Sequence, residues 1–580
     1  MSLQVSIGQY SSAGRKMLNQ DWYGACLPAE PQLSNKGVAL AVADGISSST
    51  VSQIASETAV KSFLSDYYCT SDAWSVPHAA LQVLKASHNW LYAQNRNGPF
   101  AADPDKGYVC TFSALILKQR HAHLLHVGDS RIYLLRNRQL EQLTRDHRVW
   151  RGSSSFLSQA LGAGAVLEPD SHSLAVLPGD VFLLATDGLF EALSQPQLMA
   201  LLEPLQPDPE QLNSEQLKPE LTDLSALAQQ LADAALAAGS KDNITLQLVR
   251  INALPADSSL PACVDQQLPL PPLLQQGDTL DGLQIIRPLQ QSSRSHVYLV
   301  QDSETAKLLV LKAPSIDLAE QPEYLERLLR EEWIAKRVNS AYVLRPASSN
   351  RPRTALYTLF EYIDGQTLRQ WQLDHPKATL EQIRTLTEQI GKGLQALHRS
   401  EILHQDLRPE NIMVTPQGSV KIIDFGAARL AGLQPDDEVA GDIPGTALYC
   451  APEYFLGAPG SERSDLYSLA VLTYQLLSGR FPYGPEIARH RSLKAQKRLQ
   501  YQSVLAADSE LPAWLDQTLE KALQPDPSQR YQALSEFLYD LRHPNAKFQA
   551  PQSLIELHPL WFWQSCCLLQ CLIILWLLAN

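Results

Sequence analysis

Apolar residues in the first half of the chain fall in short runs: Val38–Val42, Phe112–Leu117, His121–Val127, Ile132–Leu135, Val181–Ala185 and Ile244–Val249. Runs of this length, rich in branched and aromatic residues and bounded by Gly and Asp, predict strands. Between them Ile54, Ala55, Thr58, Ala59 and Phe63 carry helical spacing. From Leu283 the pattern changes to strands followed by long helices. Leu380, Ile383, Leu386, Ile390, Leu394 and Leu397 are 3, 3, 4, 4 and 3 residues apart, which predicts an amphipathic helix ending at His398. Residues 253–278 hold five prolines and no periodicity, as a semi-extended linker would. A second Pro-, Gln- and Glu-rich stretch, 195–222, reads as an insertion or irregular helix inside the first unit. No internal repeat is visible.

The final segment differs from the rest. No Asp, Glu, Lys or Arg follows Glu556, and of Leu560–Ala579 only Gln564, Ser565 and Gln570 are clearly polar. A membrane span needs about 20 mostly apolar residues, so a single transmembrane helix is expected over 559–579. Trp561 and Trp563 stand where an interfacial belt would lie, and Arg542 and Lys547 lie upstream, which puts the bulk of the chain in the cytoplasm. The competing reading is a core or interfacial helix. The first twenty residues lack the apolar core of a secretory signal, consistent with a cytoplasmic amino terminus.

Length and composition narrow the classes. A chain of 580 residues is expected to form two to four folded units. With 45% hydrophobic and 19% charged residues it is neither disordered nor fibrous. The net charge of −13, from 48 basic and 61 acidic residues, argues against a general nucleic-acid binder. The eight cysteines show no metal-ligand spacing and read as reduced thiols, with Cys566, Cys567 and Cys571 crowded near the end.

Four aspartates, Asp44, Asp129, Asp187 and Asp242, flank predicted strands. One Asp-Gly is ordinarily a turn, but several converging carboxylates suit a hard divalent cation. The segments 15–21 (RKMLNQD), 42–45 (VADG), 128–131 (GDSR), 186–188 (TDG) and 242–245 (DNIT) resemble, in order and over residues 1–250, the metal-dependent type 2C protein phosphatases. That resemblance implies two antiparallel sheets flanked by helices, with Mg²⁺ or Mn²⁺ at one end. Asp44 would bridge two ions and Gly45 would offer its carbonyl. Asp187 and Asp242 would complete the pair, Asp21 would sit at the metal-water shell, and Asp129 would help hold a third ion. Lys16, or neighbouring Arg15, stands where the family places a phosphate-binding arginine. Two cations about 3.5–4 Å apart activate a shared water and neutralise the phosphate it attacks. Two departures are visible: Ile46-Ser47-Ser48-Ser49 replaces the paired glycines after the first Asp-Gly, and Ile46 fills the slot of a histidine proton donor.

In the second half, His404-Gln405-Asp406-Leu407-Arg408-Pro409-Glu410-Asn411, then Asp424-Phe425-Gly426 and Ala451-Pro452-Glu453, resemble the signature set of the protein kinases over about 283–543. The resemblance implies that Lys312 grips the ATP phosphates, with Glu331, or alternatively Glu332, as its helix partner. Asp406 would orient and deprotonate the substrate hydroxyl, while Asn411 and Asp424 would hold Mg²⁺. Val297 would line the nucleotide, and Phe360 to Ile363, with Glu361 and Ile363, resembles the hinge that meets adenine. Glu453 with Arg530, and Asp465, would be structural. Gln290, Ser292 and Ser295 occupy the glycine positions of the nucleotide loop, where a serine could lend its hydroxyl. Gln405 replaces the arginine that pairs with a phosphorylated activation segment, and Arg408 replaces the usual lysine. Residues 427–444 contain no Ser, Thr or Tyr, so activation by phosphorylation within that stretch is not expected.

The expected fold class is therefore α+β multidomain. A phosphatase-type β-sandwich flanked by helices (1–252) is followed by the Pro-rich linker (253–278), a bilobal kinase fold (279–545) and the transmembrane helix (559–579). The expected function is a membrane-tethered enzyme of the inner membrane, with cytoplasmic domains that phosphorylate Ser/Thr with ATP and hydrolyse the phosphoesters. Its partners would be protein and phosphoprotein substrates, its own kinase half among them, and the membrane, but not nucleic acid. The alternative is an active phosphatase fused to a nucleotide- or protein-binding pseudokinase. A kinase joined to its own phosphatase, with no outer sensor domain, looks bacterial.

Overall fold

The computed structural model describes residues 2–545 except 152–153, 206–222, 256–267, 293–294, 319–320, 348–350, 352, 431–446, 485–486, 488–489 and 507–509, together with Phe548, Trp563, Gln564 and Gln570. The described residues fall into two compact units. One comprises Met1–Asn339, Leu344–Tyr362 and Arg429–Glu438; the other comprises Ser340–Val343, Ile363–Ala428 and Val439–Asn580.

The first unit opens with two five-stranded antiparallel sheets. One runs in the order Gln4–Ser12, Ile244–Ala253, Val181–Ala185, Arg131–Arg136, Gln139–Gln142, and the other Asp170–Ala175, His121–Val127, Phe112–Lys118, Val38–Asp44, Asp21–Cys26. The strand Val181–Ala185 is buried throughout because both of its faces are covered. Phe182 and Leu184 point between the sheets, where they join Leu40, Leu115, Leu134 and Val249. Leu183 and Ala185 point the other way, under Leu227, Ala228 and Leu231 of the helix Leu224–Ala237. The second sheet is covered by the helix Ser52–Cys69, whose neighbour is Val76–Asn97. The helix Ser52–Cys69 contains the predicted helical positions but turns differently: Ala55, Ala59 and Phe63 are buried, while Ile54 is 42% exposed and Ser52 and Ser56 take the buried side. Small hydroxyls fit where the helix presses close to the chain, and the Ser56 hydroxyl donates to the Gln20 carbonyl at 2.6 Å.

The same unit holds a third five-stranded sheet, Thr279–Leu280, Leu283–Gln291, Ser295–Asp302, Leu308–Pro314 and Thr358–Glu361, and the helix Pro322–Arg337. The later part of the predicted linker is seated on this sheet. Leu274 lies in its core beside Tyr298 and Leu311, and the Leu356 N–H donates to the Pro269 carbonyl at 2.8 Å.

The second unit is mainly helical, with Leu368–Asp374, Leu380–Arg399, Glu462–Ser478, Ala513–Ala522 and Leu534–Arg542, plus a small sheet of Gln366–Thr367, Ile412–Val414 and Val420–Ile422. The helix Leu380–Arg399 runs one residue past the predicted end. It begins with a capping box in which Thr379 and Gln382 satisfy each other's free N–H groups. Among the described residues no helix is long and apolar enough to cross a membrane. The segment 559–579 lies outside the described residues apart from Trp563, Gln564 and Gln570.

Candidate functional sites

Five aspartates gather at the strand ends of the first two sheets. Asp21 opens its strand directly opposite Asp44, which closes the neighbouring one. Asp129 sits between His121–Val127 and Arg131–Arg136, Asp187 follows Val181–Ala185, and Asp242 precedes Ile244–Ala253. Their charges act on one another. Burial, then Asp21, Asp187 and Asp129, pushes Asp44 well above the usual carboxylate range. Burial, then Asp129 and Asp242, pushes Asp187 up to about 8. Burial raises Asp21 to about 6 against the hydrogen bonds it accepts, one of them from the Thr186 hydroxyl at 2.8 Å. Asp129 is raised by burial despite the opposing pull of Arg148. Backbone contacts at these turns are close. A Cβ on Gly45 would lie 2.8 Å from the Ser52 backbone, and one on Gly188 would collide with the Asn243 carbonyl.

Two cationic side chains lie on this cluster. Arg148 donates from Nε to Asp129 at 2.6 Å, from Nη2 to Asp187 at 3.1 Å and from Nη1 to Glu191 at 2.8 Å. Lys16 pairs with Asp242 and donates to the Ser47 hydroxyl at 2.7 Å. Arg15 instead reaches the Leu236 carbonyl at 3.5 Å. Among the described residues no three His, Cys, Asp or Glu side chains already form a metal-binding group. Yet Asp21 Oδ1 and Asp187 Oδ1 are buried with no hydrogen-bond donor. Two carboxyl oxygens buried without a donor among acidic neighbours fit a divalent cation, which takes such ligands and removes the repulsion between them.

Sequence reasoning did not single out Arg148, Thr186, Thr111 or Asn243. Thr111 accepts from the Asp44 N–H at 3.0 Å. Asn243 accepts from the Gln20 N–H at 2.9 Å and donates to the Ala13 and Leu18 carbonyls, so it fixes the loop carrying Lys16. Asn243 and Thr186 sit inside the motifs, so proximity to an aspartate was their signal. Arg148 had none.

In the third sheet Lys312 pairs in register with Val297 and Thr358, and its Nζ reaches Glu331 Oε2 at 2.6 Å. Glu332 is not the partner: it turns to Arg353, Lys336 and Ser71. The nucleotide-loop serine is occupied as well. The Ser292 hydroxyl donates to the Ser295 carbonyl at 3.0 Å and accepts from the Ser295 N–H at 3.1 Å. Glu361 closes the last strand of this sheet, where its N–H donates to the Arg345 carbonyl at 3.0 Å.

In the second unit, which also holds Ile363, Asn411 Nδ2 donates to the Asp406 carbonyl at 2.9 Å and to Asp406 Oδ2 at 3.1 Å. Arg408 Nε approaches Asp406 Oδ2 at 3.7 Å. Fully buried Asp465 accepts from the N–H groups of His404 and Gln405 at 2.9 and 3.0 Å and from His398 Nε2 at 2.8 Å. That carboxylate holds Gln405 at φ +64°, a left-handed conformation in which non-glycine residues need support. Asp424 is also left-handed, at φ +71°, and accepts from the Gly426 N–H at 3.2 Å. Arg530 grips Glu453 in bidentate fashion at 2.8 and 2.7 Å.

Residues 284–539 match the family model of the protein kinase domain, and residues 9–232 match that of protein phosphatase 2C. The serine/threonine-protein kinase PknD of Chlamydia caviae is 31% identical over 284 residues, 44% of this chain and 30% of that protein. A probable serine/threonine-protein kinase of Streptomyces coelicolor is 32% identical over 265 residues, 44% of this chain and 38% of that one. The chain thus spans about a third of the length of these relatives. The Mycobacterium tuberculosis serine/threonine phosphatase PstP is 22% identical, covering 43% of this chain and 99% of its own, with a TM-score of 0.34. This polypeptide carries a serine/threonine protein kinase domain and a type 2C protein phosphatase domain.

Proposed function

We propose that the chain is a bifunctional signalling enzyme that phosphorylates Ser/Thr on proteins, its own kinase half included, and hydrolyses the same esters. The observation that carries the kinase reading is the formed Lys312–Glu331 pair. Lys312 would hold the ATP phosphates, with Val297, Glu361 and Ile363 lining the nucleotide. In the second unit Asp406 would accept the proton of the substrate hydroxyl as its oxygen bonds to the γ-phosphorus and ADP leaves. Asn411, its Nδ2 donating to Asp406, would meet Mg²⁺ through its amide oxygen, together with Asp424. The pseudokinase reading retains one support: with Gln290, Ser292 and Ser295 at the glycine positions, the Ser292 hydroxyl is already bonded to Ser295.

For hydrolysis, Asp44, Asp187, Asp242, Asp21 and Asp129, with the Gly45 carbonyl, would hold two or three Mg²⁺ or Mn²⁺ ions. Such ions supply an acidified water and charge neutralisation. The chain's own residues would tune that chemistry. Thr186 fixes Asp21, Thr111 fixes the Asp44 backbone, and Lys16, on its Asn243-braced loop, would meet the phosphate in place of Arg15. The segment Leu560–Ala579 would anchor the chain in the inner membrane with both domains in the cytoplasm, through a domain plan of 1–252, 253–278, 279–545 and 559–579.

The test gives γ-labelled ATP to the full chain carrying Asp187→Asn and to a copy also carrying Asp406→Asn. The first should accumulate label and the second should not. If neither incorporates label, the kinase is a pseudokinase. Equal labelling would remove Asp406 as the base. Chelation should abolish phosphoester hydrolysis and Mn²⁺ should restore it, and release of the chain from membranes by high salt alone would overturn the anchor.

A further inference from the structure

The helix Pro322–Arg337 presents two acidic residues side by side with different employment. Glu331 meets Lys312, whereas fully buried Glu332 faces the phosphatase domain within the same compact unit. The Ser71 hydroxyl donates to Glu332 at 2.8 Å, and Arg353 grips the same carboxylate at 2.8 and 3.0 Å. Lys336, one turn on, pairs with Glu332 at 3.1 Å and with Asp72 at 3.2 Å. Arg337 pairs with Asp66 at 3.1 Å. Trp333, with no exposed surface, packs edge-on against Trp74 with centroids 5.6 Å apart.

The placement of these residues on the helix matters. At about 100° per residue, Glu332, Lys336, Trp333 and Arg337 lie about 100–240° around from Glu331. The phosphatase therefore holds the back of the helix whose front supplies the partner of Lys312. The charges on that back face balance. Glu332 and Asp72 oppose Lys336 and Arg353, while burial pulls Lys36, which donates to the Thr70 hydroxyl and the Ser71 carbonyl, down to about 7. A buried ion network gains little net stability over apolar packing, but it fixes one geometry and strongly penalises loss of any member.

We propose that the phosphatase domain is the positioning element of the kinase. Asp66, Ser71, Asp72 and Trp74 hold the Glu331 helix where the Lys312–Glu331 pair forms, so phosphoryl transfer depends on this docked face. The inference rests on the kinase reading above. It also accounts for an activation stretch, 427–444, without a phosphorylatable side chain, and for Gln405 in place of an arginine: the helix is held by a resident domain.

The test is a charge swap in the full chain carrying Asp187→Asn for the labelling assay and in the otherwise unaltered chain for hydrolysis. Asp66→Arg and Arg337→Asp should each lower the rate of label incorporation by about tenfold, within the usual range of coupling between sites. The double variant should restore it, and p-nitrophenyl phosphate hydrolysis should stay unchanged throughout. Hydrogen exchange over 322–337 should rise in each single variant and fall back in the double. Trp74→Leu, which keeps the site apolar, should give the same exchange signature. Single variants with wild-type labelling and wild-type protection over 322–337 would overturn the proposal, as would a double variant that recovers neither. If the chain incorporates no label at all, the kinase reading fails, and the exchange measurement still decides whether the phosphatase holds the helix.

Discussion

Arg148 competes with any cation that the phosphatase carboxylates take up, since its guanidinium lies on Asp129, Asp187 and Glu191. Removing it leaves three acidic groups without their counter-charge, and Mn²⁺ then relieves more repulsion when it binds. In Arg148→Ala we expect a lower melting temperature in chelator than for the parent chain, and a larger rise on adding Mn²⁺. An equal rise in both would show that Arg148 does not oppose the metal. Lys36 offers a pH test. Burial holds it at about 7 against an ordinary 10.5, with Asp72 and Glu332 pulling upward and Lys336 and Lys118 downward. Its folded value is below its unfolded one, so the folded chain binds fewer protons between these limits. The penalty is full below about 7 and fades toward 10.5. The stability of the parent chain relative to Lys36→Met should therefore improve from pH 7 to about 9.5, read as the gap between denaturation midpoints. A gap that stays constant would mean that Lys36 is charged inside the fold. Asp44, Asp129, Asp187 and Asp242 were legible in the sequence because each follows or precedes an apolar strand at a turn, whereas Asp21 came only from the family resemblance. Arg148 and Lys36 were not, because a lone cation has no spacing that marks it as buried.

The same contrast holds for helices. Leu380–Arg399 could be read from its sequence because one face is apolar at every third or fourth position and Thr379 and Gln382 mark its start. Pro322–Arg337 resisted that reading. It buries Glu331 and Glu332 alongside Leu328, Leu329, Trp333 and Ile334, and pattern arguments assign charged residues to solvent unless a partner is known. The partners are Lys312 for Glu331 and Ser71 and Arg353 for Glu332, none of them neighbours in sequence, so the second face was invisible. Likewise, the seating of Leu274 on the sheet of Lys312 could not follow from a proline-rich composition. Packing of the legible helix can be tested directly. Leu394 is fully buried, and Leu394→Ala should destabilise the kinase half by about 2–5 kcal/mol. Its denaturation midpoint should fall while phosphoester hydrolysis survives. A loss under about 1 kcal/mol would mean that the site collapses around the missing atoms.

At the scale of the whole molecule, one polypeptide carries a kinase domain and a phosphatase domain, so each copy of one brings a copy of the other. Joining them by a short connection sets their mutual concentration at the order of millimolar, well above the concentration of an ordinary signalling protein in solution. Opposed chemistry on a self-substrate should then be unimolecular. Full chain is labelled with γ-labelled ATP, the nucleotide is exhausted by hexokinase and glucose, and loss of label is followed over about a hundredfold range of protein concentration. The fraction lost per unit time should be independent of dilution, as expected when the effective concentration is internal. Asp187→Asn should abolish the loss, tying it to the phosphatase carboxylates rather than to spontaneous hydrolysis. A rate that falls in proportion to dilution would assign removal to encounters between chains, and the phosphatase would then act mainly on other molecules. The charge swap at Asp66 and Arg337 separates the two roles of the phosphatase domain: it should slow labelling while leaving the unimolecular loss intact, because Asp66 lies about 21 Å along the helix Ser52–Cys69 from Ser52, the end that meets Gly45 beside the aspartates that would remove the phosphate.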